Sequence, residues 1–259
     1  MINSSPDLFE LMGMYVGDGC ISVNDRYKEF ALSGDITEER EYYENHVIPL
    51  FNKTIMQPLL DKKVTGKAYP SVGVFGFMIF NRKLVEYLVE LGLKPGPKTN
   101  IKLPELIMKA KPALQARFLR GLFDTDGSIY FDKNYSAKCR IHCIPKIKLA
   151  MVSETLKNQT VHLLNNMGIG VMDKKPYQGN AKWNPRYEII IYRKSDLDTF
   201  IKKVGFASPK HKTKIAVYNA LGYCPPNTTI TQRKSILGMR RGGYSEQAPC
   251  ARLSNLRRR

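Results

Sequence analysis

Apolar and polar positions along the chain alternate with two periods, and the order of the periods repeats. Each round opens on an apolar run that holds a small residue and closes on Asp-Gly. The first is Leu11-Met12-Gly13-Met14-Tyr15-Val16-Gly17-Asp18-Gly19 and the second is Leu119-Arg120-Gly121-Leu122-Phe123-Asp124-Thr125-Asp126-Gly127. Ser5-Pro6-Asp7 marks a helix start before the first run, with Ser as N-cap, Pro at the first position and an acid in the first turn. Gly19 stops that helix. Period-two alternation then predicts a hairpin of 21–24 and 29–33 turning at Asp25-Arg26. Thr37 precedes an amphipathic helix over 38–50, with Tyr42, His46, Val47 and Leu50 facing inward. A second hairpin is predicted for 58–64 and 71–80 around Thr65-Gly66-Lys67, then a helix over 82–91 closed by Gly92.

The second round has the same order. A helix over 113–123 carries the second run; a strand at 128–132 pairs with roughly 149–153 across a longer basic loop. A helix over 154–167 stops at Gly168, strands 170–175 and 186–192 pair, and Ser195 caps a helix over 196–204. The likeness continues past the motifs: Gly92-Leu93 before Pro97-Lys98-Thr99 parallels Gly205-Phe206 before Lys212-Thr213, with one residue inserted. The expected fold is α+β, two pseudo-symmetric αββαββα halves spanning 1–95 and 113–224, with a connection over 96–112. Residues 225–259 change character, rich in Arg, Gly, Ser and Gln after Pro225-Pro226, and read as a basic tail with one short helix over 230–239.

Charge narrows the function. The formal net charge is +18 over 259 residues, which points to a polyanion, nucleic acid before membrane. Residues 1–113 hold 14 basic and 14 acidic side chains, 114–224 hold 19 and 8, and 225–259 hold 8 and 1, so the excess is not confined to the tail. No secretory signal opens the chain and no apolar run is long enough to span a bilayer, so an intracellular location is expected (cytoplasm, nucleoid or organelle matrix). Five scattered cysteines, 20, 139, 143, 224 and 250, form no disulfide framework and fit reduced thiols. Cys139, His142 and Cys143 lack the second ligand pair of a zinc finger.

Asp18 and Asp126 are 108 residues apart. Read as helices, the two runs place Gly13 and Gly17, or Gly121 and Thr125, four residues apart on one face, where small residues let helix backbones approach closely. If the two helices pack together, the two aspartates emerge side by side at their C-terminal ends. They then repel each other and the helix dipoles, an arrangement that needs a bound cation. An Asp-Gly pair by itself commonly only ends a helix and starts a turn; two at equivalent helix ends favour metal binding.

Both runs resemble the signature of the LAGLIDADG homing endonucleases, in the single-chain form with two motifs. The second copy has acids at the sixth and eighth positions, Asp124 and Asp126; the first has Val16 at the sixth and keeps Asp18 at the eighth. The resemblance implies that Asp18 and Asp126 hold Mg²⁺ (or Mn²⁺ or Ca²⁺), that the Gly17 and Thr125 carbonyls add ligands, and that Lys98 and Lys212 are the basic residues beside the metals. It further implies motif helices at the interface and two antiparallel sheets forming a saddle for double-stranded DNA.

Candidate DNA-binding residues on those hairpins are Asn24, Arg26, Lys28, Lys63 and Lys67 in the first half, and Tyr177, Gln178, Lys182, Trp183, Arg186, Glu188 and Tyr192 in the second. Arg and Lys suit guanine edges or phosphates, and Asn and Gln suit adenine. The function expected is a site-specific, metal-dependent double-strand cut in a long asymmetric target by a monomer, with intron homing as its consequence. Because the chain opens on Met1, without a splicing residue, and lacks a terminal His-Asn, a free-standing or intron-encoded protein is expected rather than an intein. Two readings without cleavage remain on the same scaffold: a maturase binding intron RNA, and a DNA-binding regulator.

Overall fold

The structure is a computed structural model, and it describes residues 5–134, 141–180 and 182–241. Helix α1 (Pro6–Asp18) begins where the Ser5 hydroxyl accepts the Leu8 N–H at 3.2 Å, and it runs directly into strand β1 (Gly19–Val23). Strand β2 (Lys28–Asp35) pairs antiparallel to β1 with Gly19 opposite Leu32. Helix α2 is a succession of α and π stretches, from Arg40–Tyr42 through Tyr43–Val47, Ile48–Phe51 and Asn52–Met56 to Gln57–Leu60. It is longer than the sequence pattern predicts. Pro49 and Pro58 each follow a π stretch, whose wider ladder accommodates the missing proline N–H, so neither ends the helix. Residues 58–64, expected as a strand, are therefore the end of α2 and an irregular run from Asp61 onward. The hairpin partner is the shorter β3 (Lys67–Tyr69), joined to β4 (Val74–Phe80) by a turn at Pro70–Val72. Helix α3 (Arg82–Glu90) completes this half, capped by the Asn81 side chain on Leu84 N–H at 2.9 Å.

After the short α4 (Glu105–Met108) comes α5 (Pro112–Thr125), then β5 (Gly127–Lys133), β6 (His142–Met151) and α6 (Glu154–Asn166). Strands β7 (Met172–Asp173) and β8 (Tyr187–Ile191) follow, then helix α7 (Lys194–Lys203). Register places Gly127 opposite Leu149, as Gly19 stands opposite Leu32, so β6 starts earlier than the sequence pattern suggests. Two elements lie beyond the repeat. Helix α8 (Pro209–Leu221) was not legible in the pattern, and α9 (Ile230–Arg241) extends the short helix expected in the tail. Residues 242–259, with the terminal arginines, lie outside the described residues.

Each sheet has four strands, ordered β1-β2-β4-β3 and β5-β6-β8-β7. One face of each is apolar: Ile21, Phe30, Leu32, Phe75 and Phe77 in the first, and Ile129, Ile147, Leu149, Ile189 and Ile191 in the second, all buried. These faces join a single core that also takes in α1 and α5, so the halves share one interior. Helices α1 and α5 cross so closely that backbones touch. A Cβ placed on Gly13 would lie 2.0 Å from the Phe118 carbonyl oxygen, and one on Gly121 would lie 2.0 Å from that of Glu10. Glu10 is buried in this crossing, compensated by Arg117 at 2.7 Å and His46 at 2.6 Å.

Candidate active site

The crossing brings Asp18 and Asp126 together at the C-terminal ends of α1 and α5, each one residue before the first strand of its own sheet. A Cβ on Gly17 would lie 2.0 Å from Thr125 Oγ1 and 3.5 Å from the Asp126 carboxyl carbon, so the two motif ends are in contact. The Asp18 carboxyl is pushed up to about 7, first by burial and then by the neighbouring Glu39 and Asp126 charges, against Lys210 and Lys98. Asp126 is more open to solvent, and partial burial raises its carboxyl too, against the pull of Lys98 and Lys210. Burial thus outweighs the neighbouring charges at both motif ends.

Those lysines are placed with the same symmetry. Lys98 begins a 3-10 turn after Pro97 and donates to the Gly17 carbonyl. Burial lowers its ammonium, while Asp126 and Asp18 act the other way. Lys210 follows Pro209 at the start of α8, donates to Glu39 and reaches the Thr125 carbonyl at 3.4 Å. Each ammonium therefore stands on the carbonyl that precedes one of the two aspartates.

Lys212, the residue expected here, is elsewhere. Two residues along a helix is a rotation of about 200°, which turns it to the opposite face of α8. There it is exposed and lines a separate cleft with His46 and Arg120. The legible signal was the Pro-Lys dipeptide, Pro97-Lys98 and Pro209-Lys210. The gap after Gly205 is one residue shorter than the gap after Gly92, not longer.

Asp124 explains how α8 is held. Its buried carboxylate accepts the Ala207 N–H at 2.9 Å and the Ser208 N–H at 3.0 Å, just ahead of the first turn of α8. Burial pushes this carboxyl up to about 6, against the two backbone donors. Val16 occupies the matching place on α1 and accepts nothing. The Lys98 segment is anchored instead by Tyr15, whose hydroxyl donates to Lys94 O at 2.6 Å, and by Gly96 N–H on Ile21 O at 3.0 Å.

Glu39 escaped the sequence reading, where it was one acid among several at a helix start. It is buried, accepts the Asp35 N–H at 2.7 Å, and pairs with Lys210 from the other half.

A hard divalent cation fits the donors present. They are carboxylates and backbone carbonyls, Asp18, Asp126, Gly17 and Thr125, the oxygen set of Mg²⁺, Mn²⁺ or Ca²⁺. No cluster of three or more His, Cys, Asp or Glu side chains suited to a metal occurs among the described residues. Cys143 and His142 lie on β6, and Cys139 is outside the described residues.

The expected DNA-contact residues fall into three groups. Tyr177 and Trp183 are widely exposed on a hairpin closed by the Tyr177–Arg186 bridge, where Gln178 donates to Trp183 O at 2.7 Å and Asn180 holds the Lys182 N–H at 3.0 Å. Arg186 pairs with Glu188 at 3.2 Å, and Lys148 and Lys174 also approach Glu188, while Tyr192 is partly exposed beside Arg193. On the first sheet Asn24 is spent on its own turn, accepting Arg26 and Tyr27 N–H at 2.9 and 2.8 Å, with Arg26 exposed beside it. Lys63 and Lys67 are exposed, Lys67 lying over the Tyr69 ring. Lys28 is a correction. It shares the parity of Phe30 and Leu32, and so faces the helix layer, paired with Glu86 of α3 at 2.6 Å. Sequence reading missed Lys146 and Lys148 on the open face of β6, both on the opposite parity from buried Ile147 and Leu149.

Residues 113–205 match the family model described as a LAGLIDADG-like domain. Over most of its length the chain has the fold of the LAGLIDADG homing endonucleases. It resembles I-DmoI, solved in complex with DNA and Mn, at 16% identity and a TM-score of 0.54, covering 78% of this chain and 98% of that one. It also resembles the I-LtrWI LAGLIDADG homing endonuclease bound to target DNA, at 10% identity and a TM-score of 0.53, covering 85% and 90%. Among curated proteins, it is 24% identical over 223 residues to a glutamine–fructose-6-phosphate aminotransferase of Methanocaldococcus jannaschii, covering 84% of this chain and 18% of that protein. It is 26% identical over 210 residues to a replication factor C small subunit of the same organism, covering 81% and 10%. To a DNA polymerase of Thermococcus hydrothermalis it is 24% identical over 218 residues, covering 81% and 12%. The chain thus spans less than a fifth of these relatives. An aminotransferase, a replication factor and a polymerase share this segment and not a reaction. No described helix is long and apolar enough to cross a membrane.

Proposed function

We propose that the chain is a site-specific endonuclease that cuts both strands of double-stranded DNA with a divalent cation. The observation that carries this reading is the pair Asp18 and Asp126, half-buried and exposed respectively at the ends of two crossing helices, each with a lysine on its preceding carbonyl. Asp18, Asp126 and the Gly17 and Thr125 carbonyls would hold the cation, which when bound supplies an activated water and neutralises the scissile phosphate. Lys98 and Lys210 place positive charge beside the two phosphates, stabilising the charge that builds on each as its bond breaks. Glu39 fixes the Lys210 ammonium and adds a carboxylate acceptor at the same centre.

The two open sheet faces flank this centre and would lie along the grooves of the duplex, with Lys146, Lys148, Lys182 and Arg186 on phosphates or guanine edges. Since one chain carries both motif ends, a monomer acting on an asymmetric site follows. The recurrence of one segment inside proteins of unrelated activity supports homing of the element that encodes it, with an intron as one such carrier. Nothing in the geometry favours RNA over DNA, and both aspartates are retained, so the cleaving reading stands ahead of a maturase or regulator.

The test is cleavage of genomic DNA that holds the intact insertion site, with Mg²⁺ or with chelator, followed by sequencing of new ends. Recurrent breaks at one locus, dependent on the cation and absent in Asp126→Asn, establish the activity and supply the target. Folded protein that makes no such breaks overturns it.

A further inference from the structure

The basic segment after Pro225-Pro226 contains a residue whose placement the composition does not suggest. Arg233 on α9 is fully buried, and all three of its nitrogens are engaged. Nε donates to Thr213 Oγ1 at 2.8 Å, Nη1 to the Thr228 carbonyl, and Nη2 pairs with Glu38 Oε2 at 2.6 Å. The other Glu38 oxygen accepts the Ile230 N–H at 2.9 Å.

These contacts join two elements. Glu38 belongs to the turn between β2 and α2, and its neighbour Glu39 points into the catalytic centre to hold Lys210. Thr213 is on α8, three residues after Lys210 and so on the same face. Arg233 therefore grips the Glu38 and Thr213 side chains, on the two segments that carry Glu39 and Lys210, without touching that pair itself. The turn is stiffened further, with Asp35 Oδ1 accepting Thr37 and Glu38 N–H at 2.9 and 2.8 Å. Among the described residues Lys98 has no such bracket; its segment is anchored through Tyr15 and Gly96.

We infer that Arg233 is a positioning residue of the endonuclease: by clamping Glu38 to Thr213 it sets the Lys210 ammonium on the Thr125 carbonyl beside Asp126, and so governs cleavage of one DNA strand and not the other. A planar, permanently charged guanidinium suits this task, since it spans three acceptors with fixed geometry. A general loss of stability slows both strands together. Loss of the bracket displaces one lysine of two.

The inference rests on the endonuclease reading, and its test separates the two. The full chain is assayed on the target recovered above, with the two strands labelled differently. If the unsubstituted chain does not cut, the proposed function falls, and the inference with it, before any variant is read. With cutting established, Arg233→Met is expected to slow one strand by about tenfold while the other changes less than about twofold, so nicked duplex accumulates with a single polarity. DNA affinity measured with Ca²⁺ should stay within about twofold of the unsubstituted chain. Lys210→Met should give the same polarity and Lys98→Met the opposite one. Glu38→Gln and Thr213→Val each weaken one arm of the bracket, and should give the same bias if Arg233→Met does not fold. Equal slowing of both strands, or no bias in any folded variant, overturns the inference.

Discussion

Gly13 on α1 and Gly121 on α5 each face the other helix's backbone, with space for no side chain at either position. That mutual approach places Asp18 beside Asp126, because each aspartate lies five residues further along its own helix. Gly121→Ala would drive a methyl group into the Glu10 carbonyl and force the helices apart. Overpacking of this kind costs about 1–3 kcal/mol or more, and backbone offers no rotamer by which to yield. A lowered urea midpoint with unchanged slope is expected, together with loss of cleavage; an unchanged midpoint would show that the crossing yields easily.

The Asp18 carboxyl gives a pH dependence of defined sign. Its pKa is near 3.9 in an unfolded chain and about 7 in the folded one, so the folded state binds the proton more tightly. Its contribution to metal-free stability is present below pH ~4 and is lost as pH rises through 7. Asp18→Asn should therefore raise the melting temperature of metal-free protein more at pH 8 than at pH 5. Added Mg²⁺ should stabilise the unsubstituted chain more at pH 8, where no proton competes for the carboxylate. Melting curves at the two pH values, with and without Mg²⁺, check both statements.

Lys210 and Lys212 differ by one face of a helix. Removing the ammonium that sits on the Thr125 carbonyl in Lys210→Met should lower the cleavage rate by about a hundredfold, the scale of a lost electrostatic stabiliser. Lys212→Met should leave it within about twofold. Single-turnover rates at saturating protein make the comparison; equal effects would remove Lys210 from the mechanism.

The second-half hairpin is expected to bind phosphate. Lys182→Ala combined with Arg186→Ala should reduce the slope of log Kd against log salt by about 0.9 for each phosphate that is no longer neutralised. Lys28→Ala, its charge already paired with Glu86 behind the first sheet, should leave the slope unchanged. Titrations at several salt concentrations with Ca²⁺ in place of Mg²⁺ measure both without cleavage.

Features set by short stretches of chain were legible in the amino-acid pattern. An apolar run with Gly at the crossing position and Asp-Gly at its end specifies a helix, its stop and the acid, so Asp18 and Asp126 were legible from two short stretches. Period-two alternation likewise located most strands, although it put Lys28 on the wrong face of the first sheet. Features that depend on contacts between elements distant in sequence were not legible there. Lys210 rather than Lys212 reaches the site because Asp124 anchors Ala207 and Ser208 and thereby sets the phase of α8. Pro58 read as the start of a strand, but the packed core keeps α2 helical through it by way of π stretches. Glu39 and Arg233 read as surface charges in an acidic helix start and a basic tail. They are buried because the two halves close over them, and only that closure supplies the partners which make burial of their charges tolerable.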